Sequence, residues 1–166
     1  MQDKRYSSGF SLIEVLIAIL LVGLAVASLV AANSALTRAN GAGTDLSTAE
    51  FLLGEIRELT VLLPVVDPQS SPVWTFGPEG GEGTLTDWDD LDDFDGKVFS
   101  PPISANGAVL NGSAVFSQQI TVEKVSPSNF EQVVPDNDPS DFVRVTVKVF
   151  LNAREICSAS WLRARY

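Results

Sequence analysis

Acidic side chains in two places are the residues of this sequence most able to do chemistry. Glu14 lies in an apolar run that carries no further charge before Arg38, and six aspartates fall within Asp87–Asp95. The sequence contains no histidine and a single cysteine, Cys157. Ser-His-Asp and Cys-His catalysis and an ordinary zinc site are therefore excluded, and we do not expect an enzyme.

The apolar run around Glu14, Phe10–Ala32, is long enough to cross a membrane as a helix, because 1.5 Å per residue reaches across a hydrocarbon core of roughly 30 Å. A carboxylate inside such a helix costs about 2.5–3.5 kcal/mol, less near an end. A simple anchor does not need that cost, a cleaved secretory signal is shorter, and a core helix this apolar is hard to bury in a small domain. Glu14 therefore needs a specific partner.

The residues on both sides of Glu14 form a specific pattern. A short charged leader, MQDKRYSSG, precedes FSLIE, and the apolar helix that follows contains Gly23. This pattern closely resembles the class III signal of type IV prepilins and pseudopilins. The resemblance implies cleavage between Gly9 and Phe10 by a prepilin peptidase, followed by N-methylation of Phe10. It also implies that Glu14 pairs with the N-terminal amine of a neighbouring subunit, which would compensate the buried charge.

The same resemblance implies a structural protein of the inner membrane. Its expected partners are other pilin subunits, the prepilin peptidase and methylase, the membrane, and an inner-membrane assembly platform. Lys4 and Arg5 predict a cytoplasmic N-terminus by the positive-inside rule, so the head would be periplasmic before it enters a pilus or pseudopilus filament. The formal net charge of −10, which becomes −11 once Asp3, Lys4 and Arg5 are removed, argues against nucleic-acid binding.

The predicted fold class is α+β and pilin-like, with a long N-terminal helix packed on a small antiparallel sheet. We expect a leader over residues 1–9, a transmembrane and assembly helix over 10–32, its amphipathic half over 33–63, and a β-rich head over 64–166. A bend or frayed turn is expected near Gly41–Gly43, in the stretch Asn40-Gly41-Ala42-Gly43, because glycine lowers helix propensity. The apolar face predicted to pack on the sheet consists of Leu46, Ala49, Leu53, Ile56 and Leu63.

Three strands are predicted in the C-terminal half: Ala114–Val125, Asp141–Leu151 and Arg154–Arg163. A two-residue hairpin turn at Asn152-Ala153 would join the last two strands. That turn predicts Val149 opposite Ile156. It likewise predicts Val143 opposite Leu162, so that apolar residues meet on one face.

Two stretches rich in proline and polar residues are predicted to lack most regular structure. Val65–Asn106 is expected to be a long surface excursion with one short strand at Val73–Phe76, and residues 126–140 are expected to be a polar connection. The aromatic residues of the first stretch argue against disorder, because disordered segments contain few of them.

The acidic loop, defined here as Asp87–Gly96, allows two interpretations. It is either a solvated loop whose aspartates cap turns, or a calcium site, since calcium takes six to eight oxygen ligands. An EF-hand does not fit, because Gly96 at the sixth position would put Leu91 at the first and Pro102 at the twelfth. The candidate calcium ligands are Asp89, Asp90, Asp92, Asp93 and Asp95, with Trp88 and Phe94 as anchors of the loop.

The acidic loop carries a finer resemblance. DLDDFDG, followed by Ser100-Pro101-Pro102, is similar to the D-x-D-D-[YF]-x-G motif of minor pilins of mannose-sensitive-haemagglutinin-type pili. This similarity, together with a single cysteine that cannot form an internal disulfide, implies a minor pilin. The alternatives are a pseudopilin of a type II secretion system and an enzyme or ligand-binding head on a pilin stalk. The carboxylates of Asp87–Asp95 are the candidate site of such a head, and no paired nucleophile and base accompanies them.

Overall fold

A computed structural model describes residues 9–65 and 81–165; residues 1–8 of the leader and the predicted strand Val73–Phe76 lie outside the described residues. The described chain contains one long helix, α1 (Leu12–Thr60), and an antiparallel sheet. Its strands are β1 (Val98–Phe99), β2 (Phe116–Ser126), β3 (Asn129–Val133), β4 (Phe142–Leu151) and β5 (Arg154–Ala164). The predicted α+β, pilin-like architecture is confirmed. Two compact units divide the chain, one ending at Gly43 and the other beginning at Thr44.

Helix α1 differs from the prediction in its middle and at its end. Residues Asn40–Gly43 are helical, so the predicted frayed turn is wrong. Each glycine costs only about 1 kcal/mol relative to alanine, which a long helix can absorb. The helix ends at Thr60 rather than Leu63, because the chain tightens there: the Leu63 amide donates to the Thr60 carbonyl at 3.3 Å.

The sheet has the strand order β1-β2-β4-β5, and β3 forms a separate hairpin with β2. β3 lies inside the segment predicted to be an irregular polar connection, which corrects that prediction. Its pairing with β2 is interrupted by a bulge between Val125 and Ser126. The ring of Phe130 on β3 packs against that of Phe142 on β4, with centroids 5.2 Å apart, which supplies an apolar contact for the hairpin.

The predicted hairpin turn between β4 and β5 is confirmed. Asn152 and Ala153 have φ angles of 49° and 64°, the left-handed values that a type I′ turn requires, and Leu151 pairs with Arg154 across it. Asparagine tolerates such values better than most residues. Ala153 adopts them because the tight turn aligns two long strands.

The register predicted beyond this turn is wrong by one residue. A bulge between Val149 and Phe150 shifts the pairing, so Val149 lies opposite Cys157 instead of Ile156. Val143 lies opposite Arg163, one residue beyond its predicted partner. One additional residue of β5 therefore faces the bulge, and every later residue of β5 is displaced relative to β4.

The core of the second unit lies between the C-terminal part of α1 and one face of the sheet. On α1 the buried residues are Ala49, Leu52, Ile56 and Thr60. The predicted face was thus right for Ala49 and Ile56, and Leu53 and Leu63 also pack against the core as partly buried residues. It missed Leu52 and included Leu46, which is 43% exposed. The sheet contributes Ile120, Val122, Val143, Val145, Val147 and Val149. Leu91 and Phe94 are buried in the same core, so the predicted surface excursion is wrong for that part of its length.

Gln118 links three elements inside this core. Its side chain is fully buried, and Oε1 accepts the amide of Ile103 at 2.8 Å. Nε2 donates to the carbonyl of Leu52 at 2.7 Å and to that of Ile103 at 3.0 Å. Both donors of the amide and its oxygen are therefore satisfied, which a buried polar side chain requires.

Arg163 on β5 binds the C-terminal end of α1. Its guanidinium donates to the carbonyls of Thr60 at 3.1 Å, Val61 at 2.9 Å and Leu63 at 2.9 Å. Val61 and Leu63 lie just beyond the end of α1, and the positive charge also interacts favourably with the negative end of the helix dipole. Arg163 thereby fixes where the helix ends against the sheet.

We expect Arg163→Met to lower the free energy of unfolding of the full chain by about 2 kcal/mol, because the helix carbonyls lose a charged donor. The matched control is Arg154→Met, an exposed arginine at the other end of the same strand. It should change stability by less than about 0.5 kcal/mol. Chemical denaturation in detergent micelles measures both changes, and equal values for the two variants would contradict the role assigned to Arg163.

Candidate functional site

The N-terminal part of α1 presents apolar side chains that nothing else in its unit covers. Phe10 is 82% exposed and Leu12 is 80% exposed, and large apolar residues stay exposed along the helix as far as Leu36. By length and composition α1 could cross a membrane, and its most apolar window is not buried within the protein. Such a surface requires an apolar environment, either lipid or other helices.

The bond predicted to be cleaved, between Gly9 and Phe10, lies in exposed, non-helical backbone just before α1 begins at Leu12. A peptidase needs such backbone, since a helical peptide bond is engaged in the helix. The predicted processing bond is therefore placed where an enzyme could reach it.

Glu14 occupies the first turn of α1, where it also has a local structural setting. The Oγ of Ser11, the residue before the helix, accepts the amide of Glu14 at 3.2 Å. Ser-x-x-Glu at a helix start is the capping-box pattern, and a carboxylate also interacts favourably with the positive end of the helix dipole. This role was missed in the sequence, although Ser11 and Glu14 carry its signal. The carboxylate of Glu14 itself makes no hydrogen bond or ion pair within residues 9–65 and 81–165.

The centre of the acidic loop is buried, whereas Asp87 and Asp89 near its start are exposed. Asp90, Asp92 and Asp93 have no exposed surface. A short 3-10 helix, Asp92–Phe94, forms its centre, and the Leu91 amide donates to the Pro64 carbonyl at 2.9 Å. The apolar side chains between the aspartates, Leu91 and Phe94, pack in the core. The neighbouring carboxylates are buried as a result.

Two of these aspartates cap the turns of the loop. Oδ1 of Asp90 accepts the amides of Asp92 at 3.1 Å and Asp93 at 3.3 Å. Oδ2 of Asp93 accepts the amides of Asp89 at 3.1 Å and Asp90 at 3.4 Å. These bonds agree with the capping interpretation, and they fix both carboxylates in orientation.

Asp95 attaches the loop to the sheet. Its Oδ1 accepts the amide of Val122 on β2 at 2.7 Å, a short bond from a backbone donor to a charged acceptor. Nearby, the Ile120 amide donates to the Lys97 carbonyl at 2.9 Å. Asp95 therefore has a structural role, because its side chain connects the acidic loop to β2.

The predicted aromatic anchors of the loop are confirmed. Phe94 is buried in the core, and Trp88 packs edge-on against it with ring centroids 5.0 Å apart. Trp88 also lies near Phe99, at 6.2 Å between centroids, and carries the ammonium group of Lys97 at 4.8 Å from its ring. The indole Nε1 donates to the Glu82 carbonyl at 3.2 Å, which holds the preceding loop against the acidic one.

One group of carboxylates converges among the residues that the structure describes. Oxygens of Glu82, Asp89 and Asp93 lie within 4.8 Å of one another. Of the five candidate ligands, Asp89 and Asp93 belong to this group, whereas Asp90, Asp92 and Asp95 do not. Sequence reasoning missed Glu82, whose signal is a lone acidic residue between two glycines.

The electrostatics of this group follow from its burial. The pKa of Asp93 is raised to about 6, first by its burial and then by the negative charges of Asp90 and Glu82. At neutral pH the carboxylates repel one another, although only Asp93 is buried: Asp89 is exposed and Glu82 is half-buried.

Cys157 behaves as the small strand residue that the sequence suggests. It is a free, half-buried thiol on β5, opposite Val149. Burial and the negative charges of Glu50 and Glu155 raise its pKa, which makes it a poor nucleophile.

Comparison with known proteins gives one finding. Residues 4–30 match the family model described as the prokaryotic N-terminal methylation motif, and this range includes Gly9, Phe10 and Glu14. The match supports a type IV prepilin or pseudopilin that is anchored in a membrane through its apolar helix, a structural and not a catalytic class. It implies processing by a prepilin peptidase and assembly with other pilins. Neither the curated proteins nor the solved structures compared with the chain match it.

We expect Asp95→Ala to lower the free energy of unfolding by about 2 kcal/mol, because the Val122 amide would lose its acceptor in a half-buried place. Asp87→Ala is the matched control: it removes the same charge from an exposed turn, where Asp87 bonds only Thr84. The control should cost about 0.5 kcal/mol. Denaturant unfolding of the two variants checks this, and a loss at Asp87 as large as that at Asp95 would refute the structural role.

Proposed function

We propose that this chain is a minor subunit of a type IV pilus, cleaved after Gly9, methylated at Phe10 and assembled through residues 10–32. The observation that carries the proposal is the match of residues 4–30 to the N-terminal methylation motif. Lys4 and Arg5 hold the leader on the cytoplasmic side of the inner membrane, and the head is exported.

The exposed apolar surface of α1 supports assembly through this helix. Burying apolar surface is worth about 25 cal/mol per Å², so the helix stays in the membrane until another helix covers it. Transfer from lipid to a bundle of pilin helices keeps that surface away from water. The driving force for assembly then comes from packing and from polar contacts between helices.

Glu14 supplies the polar contact in this proposal. Cleavage creates a cationic amine at Phe10, and the amine of an adjacent subunit lies within the same apolar layer once the helices are side by side. A carboxylate in that layer is stabilised by such an amine, and a helix N-terminus adds a favourable dipole. Pairing fixes the axial position of each subunit, because a mismatch of one turn would leave two buried charges without partners.

A minor rather than a major subunit is favoured by two features. The acidic loop is similar to the motif of minor pilins of mannose-sensitive-haemagglutinin-type pili, and Cys157 cannot close an internal disulfide. The second candidate, a pseudopilin of a type II secretion system, shares the N-terminal motif. Disruption of the gene separates the two, since loss of pili supports the first and loss of protein secretion with normal pili supports the second.

We expect mass spectrometry of sheared, purified filaments to find this chain in substoichiometric amount, beginning at N-methylated Phe10. The same chain from cells without prepilin peptidase is the control and should retain the leader. Retention of Met1 in filaments, or cleavage near Ala27 or Ala32, would contradict the proposed processing.

Glu14 variants separate ion pairing from helix capping. Glu14→Ala and Glu14→Gln should both insert into the membrane normally and enter filaments at least tenfold less than wild type, because neither pairs with an amine. The Glu14→Gln variant keeps the capping pattern, since glutamine can replace glutamate there. Immunoblots of membrane and filament fractions give the ratio. Normal incorporation of Glu14→Gln would show that capping, not charge, is what assembly needs.

A further inference from the structure

We propose that Glu82, Asp89 and Asp93 bind one Ca²⁺ ion, in a site formed by the acidic loop and the glycine-flanked turn before it. This inference concerns the head alone and does not depend on how the chain is assembled. It replaces the five-aspartate set expected from the sequence with a different set of ligands.

The first observation is the convergence of oxygens from two separate turns. Ligand oxygens of Glu82, Asp89 and Asp93 lie within 4.8 Å of one another. Calcium binds oxygens at 2.3–2.6 Å, so two oxygens on opposite sides of one ion are about 4.6–5.2 Å apart. A single calcium ion can therefore contact all three residues after small movements of their side chains, and water would complete its coordination.

The second observation is independent and concerns Asp93. Its side chain has no exposed surface, yet its Oδ1 has no hydrogen-bond donor among residues 9–65 and 81–165. Its Oδ2 accepts two amides, which holds the carboxylate rigidly and leaves Oδ1 available. A buried anionic oxygen without a donor is costly, and a bound cation removes that cost.

The residues around Asp93 are acidic, so a cation is a more favourable partner for its buried Oδ1 than a neutral hydrogen-bond donor. Asp90, beside Asp93, also has a buried oxygen, Oδ2, that lacks a donor among the described residues. Glu82 and Asp89 place two more carboxylates within 4.8 Å of the Asp93 oxygen, and such a group attracts a cation. Oxygen-only ligands that differ in exposure suit calcium, which accepts irregular geometry, better than magnesium, which requires an octahedron at 2.0–2.1 Å.

Trp88 makes the site directly measurable. Its indole donates to the Glu82 carbonyl at 3.2 Å, so a lanthanide held by Glu82 lies close enough to be excited by this tryptophan. We expect terbium bound to the full chain in detergent micelles to show sensitised emission. Added calcium should displace the terbium and lower this emission. Trp161→Phe, a tryptophan on β5, should leave the emission unchanged, whereas Trp88→Phe should abolish it.

Ligand variants give the second test. Asp89→Asn and Glu82→Gln should each weaken calcium binding at least tenfold in calorimetry, and Asp89 is exposed enough for its variant to fold normally. Glu131→Gln, which removes the same charge from a side chain that is 93% exposed, is the matched control and should bind as wild type does. Asp93→Asn should bind least, and its circular dichroism verifies that it is folded.

Three results would overturn the site. The first is an equal melting temperature of the wild-type chain in calcium and in chelator at one ionic strength. The second is terbium emission that survives both Asp89→Asn and Glu82→Gln. The third is displacement of terbium by magnesium and by calcium at the same concentrations, which would indicate nonspecific attraction of cations to acidic side chains. Pilus assembly is measured in none of these experiments, so their failure leaves the proposed function intact.

Discussion

A charged or hydrogen-bonding group that is removed from water needs a partner. This requirement determines the contacts in the core and at the end of α1. In the core, Gln118 satisfies each of its polar atoms with backbone groups of α1 and the loop before β2. At the end of α1, Arg163 supplies donors to carbonyls that the helix cannot satisfy. The partners proposed for Glu14 and Asp93 come instead from outside the chain, which is why these two carboxylates carry the proposals.

The parts of the fold that were predictable are those in which a repeated pattern leaves one solution. The valines of β4 alternate with polar residues, so its buried face followed from the sequence, and Asn152 indicated the turn. The register beyond that turn did not follow. The bulge at Val149/Phe150 inserts one residue of β5 without a glycine or proline to mark it. It arises from the fit of whole strands, which no local window of sequence contains.

The acidic loop shows why composition is a poor guide to burial. Six aspartates in nine residues predict a surface position, yet Leu91 and Phe94 are spaced three residues apart and both enter the core. Their burial favours the buried position, and one oxygen of Asp93 accepts two backbone amides of the same loop. Longer side chains could not do so at this spacing. The spacing of the apolar residues was the available signal, and the density of charge concealed it.

The charge of the head and the charge of Glu14 differ in how strongly they affect assembly. Each copy of the chain has a formal net charge of −10, so neighbouring heads repel one another. Repulsion between exposed groups on neighbouring heads is screened within about 8 Å at physiological ionic strength, so it opposes assembly only weakly. Inside an apolar layer there is no salt to screen Glu14, and a misplaced carboxylate keeps its full desolvation cost. In the proposed filament, the specificity of assembly therefore resides in one residue of the first helical turn. The head is correspondingly free to carry an acidic surface and a cation without disturbing the filament.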